Sequence, residues 1–477
     1  MSLLPLCSRP KHLLRMRPLP IYVYALGFTL MLAGCRSMRP GTIPDPRPLG
    51  KNEAAYEAPP TVPDRSKERL RRPPEWPDAP GDTLTLQESL ALALANNPRL
   101  QSLSWEVRAR EAQALQAGLW PNPSLGTETE DLSTEDPIGD FTGSEQMIQV
   151  SQPIELWGRP GKRQTVAEKK RDLAGWNYEA ARLDVVSQTT QAFVALVAAE
   201  QRVQLARQLV RLSEEVFQTV SRQVETGEVS PVEKQRARVP LSQARIRLRR
   251  AEEARAAARK TLSGQWGRSD TTAFAEVEGT FGPVRPVPSL DSVESALGRN
   301  PALARQQDEI EQARAVVSLE KSDRLPVPAV TVGWQRFGGR TGSDRTALKA
   351  GVSLPLPLWD RNQGAVQRAR FRLERARRQR EAVRVRLDTT LSKAYRSLVS
   401  AQNEAQTIAE ETLPAAQSAF ESVRQGYRQG KFDYLEVLDA QRTLFGVRRQ
   451  QIQALSRYYE ARVRVERLVA TPLKQFQ

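Results

Sequence analysis

Histidine and cysteine are nearly missing from this 477-residue chain: His12 is the one histidine, and Cys7 and Cys35 are the two cysteines. Everything beyond Cys35 lacks both residue types. That excludes thiol nucleophiles, Ser–His triads, imidazole acid–base catalysis and the commonest zinc ligands from nearly the whole chain. Carboxylates alone remain for such chemistry, so an enzyme is the least supported class. No catalytic residue, metal site or cofactor is assigned. A membrane-spanning helix is not offered either: the apolar run Ile21–Leu32 has 12 residues, against about 20 needed to cross a bilayer. Positive charge is abundant, with 71 Lys+Arg against 55 Asp+Glu, a formal net charge of +16. Four of the positives (Arg9, Lys11, Arg15, Arg17) precede Cys35 with no acid among them, leaving +12 if that segment is removed. The remaining charges are interspersed with Glu and Gln through helical stretches. This reads as a solvated helix surface rather than a nucleic-acid interface.

The basic start, the short apolar core and the "LAGC" at Leu32–Cys35 resemble a signal peptide ending in a bacterial lipobox. Such a box implies removal of residues 1–34 and lipidation of Cys35; the alternative is an ordinary signal peptide with an incidental cysteine. Arg36–Ser37 follow where an inner-membrane retention signal would carry aspartate, which implies transfer to the outer membrane of a Gram-negative cell. Eleven prolines between Pro40 and Pro80 mark residues 35–81 as an extended tether. An acyl anchor is a weak attachment alone, so another element should hold the body.

The rest of the chain repeats itself. "VSQPIELWGRPGKR" (Val150–Arg163) returns as "VSLPLPLWDRNQGA" (Val352–Ala365). Pro98 and Pro301, Gly161 and Gly364, and Gly227 and Gly430 are each separated by 203 residues, and Trp157 and Trp359 by 202. Two units follow, 82–286 and 287–477. Each begins with an Asn-Pro helix start (Asn97-Pro98, Asn300-Pro301), where Asn caps and Pro suits the first helical position. A pair of short extended segments comes next, about 122–156 and 328–357. In the second, Leu348, Ala350, Val352 and Leu354 alternate with Lys349, Gly351 and Ser353, and Val330, Val332 and Trp334 with Thr331 and Gly333. In the first, Ile148 and Val150 oppose Gln149 and Ser151; the partner near Leu125–Leu132 is polar and poorly defined. Such alternation suits a membrane β-barrel strand or a soluble hairpin packed on a helix. Long helical patterns follow each glycine. Gly161–Thr226 carries Leu205, Leu209, Leu212, Val216 and Val220 on one seam. The second runs from Gly364 to about Arg428, with a break expected at Pro414. Return helices start at Pro231, where Pro240 is expected to disturb the helix, and at Tyr434. Turns at 226–231 and 429–434 join the pairs.

Four strands cannot close a barrel, and an open sheet edge is intolerable in hydrocarbon. The smallest barrels have about eight strands, so membrane strands here must be pooled between copies.

The Asn-Pro starts, "VSQPIELWG", "VSLPLPLWDRNQG" and "YRQGKFDYLEVLDAQRTL" (Tyr427–Leu444) resemble the TolC-type outer-membrane factors, and the resemblance covers nearly everything after Leu84. "PLPLWDRNQG" and "QPIELWGRPGKR" are most similar to the CzcC-like heavy-metal branch. The resemblance implies a mostly α fold with a small membrane β part: long antiparallel coiled coils and four strands per chain in two tandem repeats, three chains forming a 12-stranded β-barrel that continues into a helical barrel. It implies a passive export duct and no enzyme. The partners it implies are a homotrimer, a periplasmic adaptor, an inner-membrane RND pump and outer-membrane lipid. Gly227, Val229 and Ser230, with Gly430 and Phe432, match the adaptor-contacting tips. Glu436 and Asp439 match acidic residues ringing the periplasmic entrance, and Tyr427 an aromatic residue there. The family's arginine partner position holds Phe432, so Arg236, with Glu233 beside it, is the candidate for a substitute latch to Asp439. Drug efflux, type I protein secretion, or a lipid-anchored scaffold that never enters the membrane are the rival roles.

Overall fold

The computed structural model describes residues 83–130, 145–268, 274, 276–277, 279–337, 345–429 and 431–473. Cys35, the leader, the tether and Gly430 lie outside these residues. The first repeat contains α1 (Leu86–Asn96), α2 (Pro98–Ala117), β1 (Ser124–Glu130), β2 (Glu145–Pro153), α3 (Arg159–Glu225) and α4 (Pro231–Ser263). The second contains α5 (Leu290–Ser295), α6 (Pro301–Ser322), β3 (Ala329–Phe337), β4 (Arg345–Ser353), α7 (Gln363–Thr407), α8 (Leu413–Arg428) and α9 (Tyr434–Val469). The polar segment that was hardest to read is a strand, β1.

Both Asn-Pro starts are caps, and each does a second job. Asn97 Oδ1 accepts from the Arg99 and Leu100 amides at 3.0 and 3.3 Å, and its Nδ2 donates to the Gln265 carbonyl at 2.7 Å. Asn300 Oδ1 accepts from the Ala302 amide at 2.8 Å, and its Nδ2 donates to the Leu468 carbonyl at 2.7 Å. In each repeat the side chain thus ties the start of one helix to the end of the return arm 168 residues later, Leu468 in the last turn of α9 and Gln265 in the 3-10 turn Gly264–Trp266 that follows α4. Those terminal carbonyls have no partner within their own helix.

The 67 residues of α3 span about 100 Å at 1.5 Å per residue. Along this helix, α2 packs on the half nearer the strands and α4 on the half nearer the turn; α6 and α9 supply the second repeat's side. The expected seam faces inward: Val220 is buried, and Leu205, Leu209, Leu212 and Val216 are half-buried. Two apolar clusters sit where the return helices end. One joins Leu92, Phe193, Leu196, Leu262 and Trp266; the other joins Leu297, Leu391, Leu398, Tyr458, Val465 and Val469. A third, with Ala405, Phe420, Val437 and Leu444, holds α7, α8 and α9 together. Ion pairs bind the repeats as well. Lys169 on α3 reaches Glu311 at 2.5 Å and Asp308 at 3.6 Å on α6. Trp176 donates to Asp308, and Arg467 on α9 bonds Asp184 on α3 at 2.7 Å.

The two prolines behave differently from one another. Pro240 lies inside an unbroken α4. Its missing amide leaves the carbonyl of Arg236 without a helical partner, and Arg236 is solvent-exposed, so water can satisfy it. Pro414 is preceded by a π-turn at Ile408–Thr412, where the Leu413 amide bonds the Ile408 carbonyl five residues back. The wider turn accommodates the residue that cannot donate.

Candidate functional site

The four strands form one antiparallel sheet in the order β1-β2-β3-β4. Register places Leu125, Val150, Val332 and Ala350 in a single cross-strand row; Thr127, Ile148, Trp334 and Leu348 form the next. Successive side chains alternate faces, so these rows share one face with Val330 and Val352. That face is apolar and open: Leu348 is 79% exposed and Val352 73%. The other face carries Ser124, Gly126, Glu128, Gln149, Ser151, Thr331, Gln335, Lys349 and Ser353. Gly333, paired with Gln149 and Lys349, is on this face, and a Cβ there would lie 3.0 Å from both the Gln149 Cβ and the Ile148 carbonyl oxygen. The sheet also has two edges, β1 and β4, with no partner strand among the described residues. An apolar open face with free edges is costly in water.

Where the sheet meets the helices, the repeated Leu-Trp becomes intelligible. Trp157 and Trp359 stand out from the surface, 55% and 86% exposed, beside exposed Leu156, Leu356 and Leu358. The tight turns after them need left-handed backbone, at Trp157 (φ 66), Gly158 (φ 67) and Asn362 (φ 55). Arg163 stitches the first turn: it pairs with Glu155 through two nitrogens and donates to the Leu119 carbonyl at 3.1 Å. Arg159 crosses to the second repeat, with Nε 2.8 Å from Asp323. Asn362 Nδ2 donates to the carbonyl and carboxylate of Glu320 at 3.0 and 2.8 Å.

At the opposite end of the long helices, both turns use one hydrogen bond. The Glu228 amide donates to the Gln223 carbonyl at 2.8 Å, and the Lys431 amide to the Gly426 carbonyl at 2.9 Å. Gly227 adopts φ +77, the left-handed conformation that ends a helix in a Schellman turn. Ser230 caps α4 through the Val232 amide at 3.4 Å, with Val229 half-buried beside it. Glu436 is exposed and forms a capping box with Asp433, whose amide donates to Glu436 Oε2 at 2.9 Å. Tyr427 packs against the α8–α9 cluster, and Asp439 is exposed. Arg236 bonds Glu233, one turn away on its own helix, at 2.8 Å. The expected Arg236–Asp439 pair is not formed among the described residues: the i,i+3 carboxylate is already aligned and engages the guanidinium locally.

One tip residue was not singled out from sequence. Gly426 is buried with the Phe432 ring laid on it, so a Cβ there would sit 2.2 Å from Phe432 Cδ2. The available signal was a glycine three residues inside a helix end, facing an aromatic residue across the turn. Among the described residues no group of three or more His, Cys, Asp or Glu is arranged to hold a metal ion, and no helix is long and apolar enough to cross a membrane.

A family described as outer membrane efflux protein matches this chain twice, over residues 90–268 and 292–471. The chain is 33% identical over 398 residues to the cobalt-zinc-cadmium resistance protein CzcC of Cupriavidus metallidurans, covering 83% of this chain and 92% of that protein. It is 26% identical to the nickel-cobalt-cadmium resistance protein NccC of Alcaligenes xylosoxydans xylosoxydans, covering 68% of this chain and 70% of that protein. Among solved structures, the CmeC outer membrane channel of Campylobacter jejuni superposes with a TM-score of 0.66 at 17% identity, covering 81% of this chain and 85% of that one. The mostly helical body with a small antiparallel sheet is the fold of such channels. With both repeats matched and a third of residues shared with CzcC across most of its length, the chain belongs to the outer membrane efflux protein family.

Proposed function

We propose that this chain is the outer-membrane duct of a tripartite efflux system that exports divalent heavy-metal ions. The carrying observation is the sheet: four strands, one apolar face, one polar face and two free edges. Three copies joined edge to edge give twelve strands, with the apolar rows toward lipid and the polar rows toward a water-filled lumen. The helices support the same closure. Val232, Val239 and Ile246 recur every seven residues on the exposed side of α4, and Phe371 and Val385 are exposed on α7. These rows suit coiled-coil packing against neighbouring copies. The helical pairs then extend the lumen through the periplasm, and lipidated Cys35 adds an anchor. At the tips, Gly227, Val229, Ser230, Gly430 and Phe432 meet a periplasmic adaptor. Tyr427, Glu436 and Asp439 crowd the entrance, where carboxylates from three chains attract cations. The chain performs no chemistry; an inner-membrane RND pump supplies drive and selection. The likeness to CzcC and NccC supports metal as cargo.

Two experiments test this reading. Leu125 on β1 and Ala350 on β4 are three strand spacings apart within one chain, roughly 14 Å, beyond the ~7 Å limit for a disulfide. Leu125→Cys, combined with single cysteines along β4, should therefore give covalent dimers and trimers. Absence of any inter-chain product along the whole of β4 refutes the pooled barrel. Deleting the gene should sensitise cells to zinc, cobalt or cadmium; sensitisation to dyes and detergents alone would reassign the cargo.

A further inference from the structure

The junction below the apolar sheet face carries cations with no carboxylate partner. The acids there are engaged: Asp323 with Arg159, Glu320 with Asn362 and Arg368, and Asp360 with the Asn362 amide. Lys321, Arg324 and Arg361 are exposed and form no ion pair among the described residues. Arg324 and Arg361 are neighbours in space, since Arg324 Nε donates to the Arg361 carbonyl at 3.1 Å, and Lys321 lies three residues before Arg324 at the end of α6. They also lie at the margin of the apolar surface: exposed Leu325 follows Arg324, and exposed Leu358 and Trp359 directly precede Asp360 and Arg361. The headgroup layer of a bilayer leaflet is roughly 5–7 Å thick, so cations adjoining the Trp level fall within it.

We infer that Lys321, Arg324 and Arg361 bind the phosphate of an anionic phospholipid in the leaflet facing the helices. The inference rests on the sheet being a membrane wall. The apolar belt beside the cations selects a lipid over a free anion, because the acyl chains have Leu358 and Trp359 to lie against. A surface cation contributes about a fivefold gain in binding to an anionic headgroup.

The test is native mass spectrometry of the detergent-solubilised assembly after adding back phosphatidylglycerol or phosphatidylcholine. Wild-type protein should retain phosphatidylglycerol preferentially. Arg324→Gln with Arg361→Gln should weaken that retention about thirtyfold and leave phosphatidylcholine retention unchanged. Arg324→Lys with Arg361→Lys keeps the charges but not the Arg324 hydrogen bond, and should keep the lipid. Equal retention of the two lipids by wild type, or no loss in the Gln variant, overturns the proposal. So does displacement of the lipid by excess inorganic phosphate, which would make this a simple anion site. Carbonate washing of membranes separates the two readings: a chain that washes out loses the membrane-wall reading itself, whereas a resistant chain without lipid preference loses only the lipid site.

Discussion

Replacing Asn300 by Ala removes two interactions at once. The first is the N-cap of α6, worth about 1 kcal/mol. The second is the 2.7 Å bond from Nδ2 to the Leu468 carbonyl, in a site where Asn300 is only 8% exposed. Losing a buried partner costs the bond and leaves an unsatisfied acceptor, together about 1–3 kcal/mol. Asn300→Ala should therefore destabilise the chain by about 2–4 kcal/mol. Asn300→Asp separates the terms: the carboxylate still accepts from the Ala302 amide, but it cannot donate and instead faces the Leu468 carbonyl oxygen. Its cost should be the second term, about 1–3 kcal/mol, slightly offset by a negative charge at a helix N-terminus. Asn97→Ala and Asn97→Asp should show the same ordering through Gln265, and the two sites share no partner, so their effects should add. Guanidinium unfolding of the solubilised protein, followed by helical circular dichroism, reads these midpoints. If Asn300→Asp unfolds like wild type and Asn300→Ala loses only the cap term, the tie to the return helix contributes nothing and the reasoning fails.

Three other outcomes are expected. Val150→Arg places a charge on the apolar sheet face at a cost of about 2–4 kcal/mol if it lies at the bilayer midplane, so carbonate-resistant protein should fall; Gln149→Arg, the adjacent residue on the opposite face, should assemble normally. Gly426→Ala gains up to about 1 kcal/mol of helix propensity but displaces the Phe432 ring, so metal tolerance should drop while the unfolding midpoint stays near wild type; full tolerance would remove the Phe432 tip from the functional account. Burial disfavours the charge on Lys169, yet its bond to Glu311 and the nearby carboxylates outweigh this and raise its pKa; the same bond holds Glu311 below its usual range. The Glu311 contribution is present above its unfolded pKa near 4.3 and lost as pH falls, while that of Lys169 is present below about 10.4 and lost as pH rises. Lys169→Met should therefore cost stability most at neutral pH, with the difference from wild type shrinking in acid and in alkali; a difference independent of pH contradicts the assigned pairs.

Much of the fold was readable because two periodicities are strong. Period two in β3 and β4 follows from one apolar and one polar face, and the heptads in α3 from a packed seam. The Asn-Pro pairs announced helix starts because cap chemistry is local. What the sequence did not disclose was non-local. The Asn97 and Asn300 amides reach carbonyls 168 residues away, and β1 hides its period because its apolar-face positions hold Leu125 but then Thr127 and Thr129. Pro240 and Pro414 look alike in sequence; their surroundings separate them, an exposed residue four positions back in one case and a widened turn in the other. In this chain Arg236 takes Glu233 on its own helix rather than Asp439 across the tip, a choice that no pattern in the sequence announces.

The π-turn also accounts for one step in the repeat spacing, from 202 to 203 along the long helices; the 203 of Pro98/Pro301 and Gly161/Gly364 arises ahead of the turn and is separate from it. Before it, equivalent seam residues are 202 apart, as for Leu196 and Leu398, both fully buried, or Val203 and Ala405, each 1% exposed. Beyond it, Phe217 and Phe420, like Gly227 and Gly430, are 203 apart. The second repeat has absorbed one inserted residue, and the wide turn takes it out of phase with nothing else. Deleting a single residue within 408–412 should therefore restore a plain helix with its seam still aligned, whereas the same deletion in α3 would rotate half of a 100 Å rod by about 100° and turn its apolar seam away from its partners.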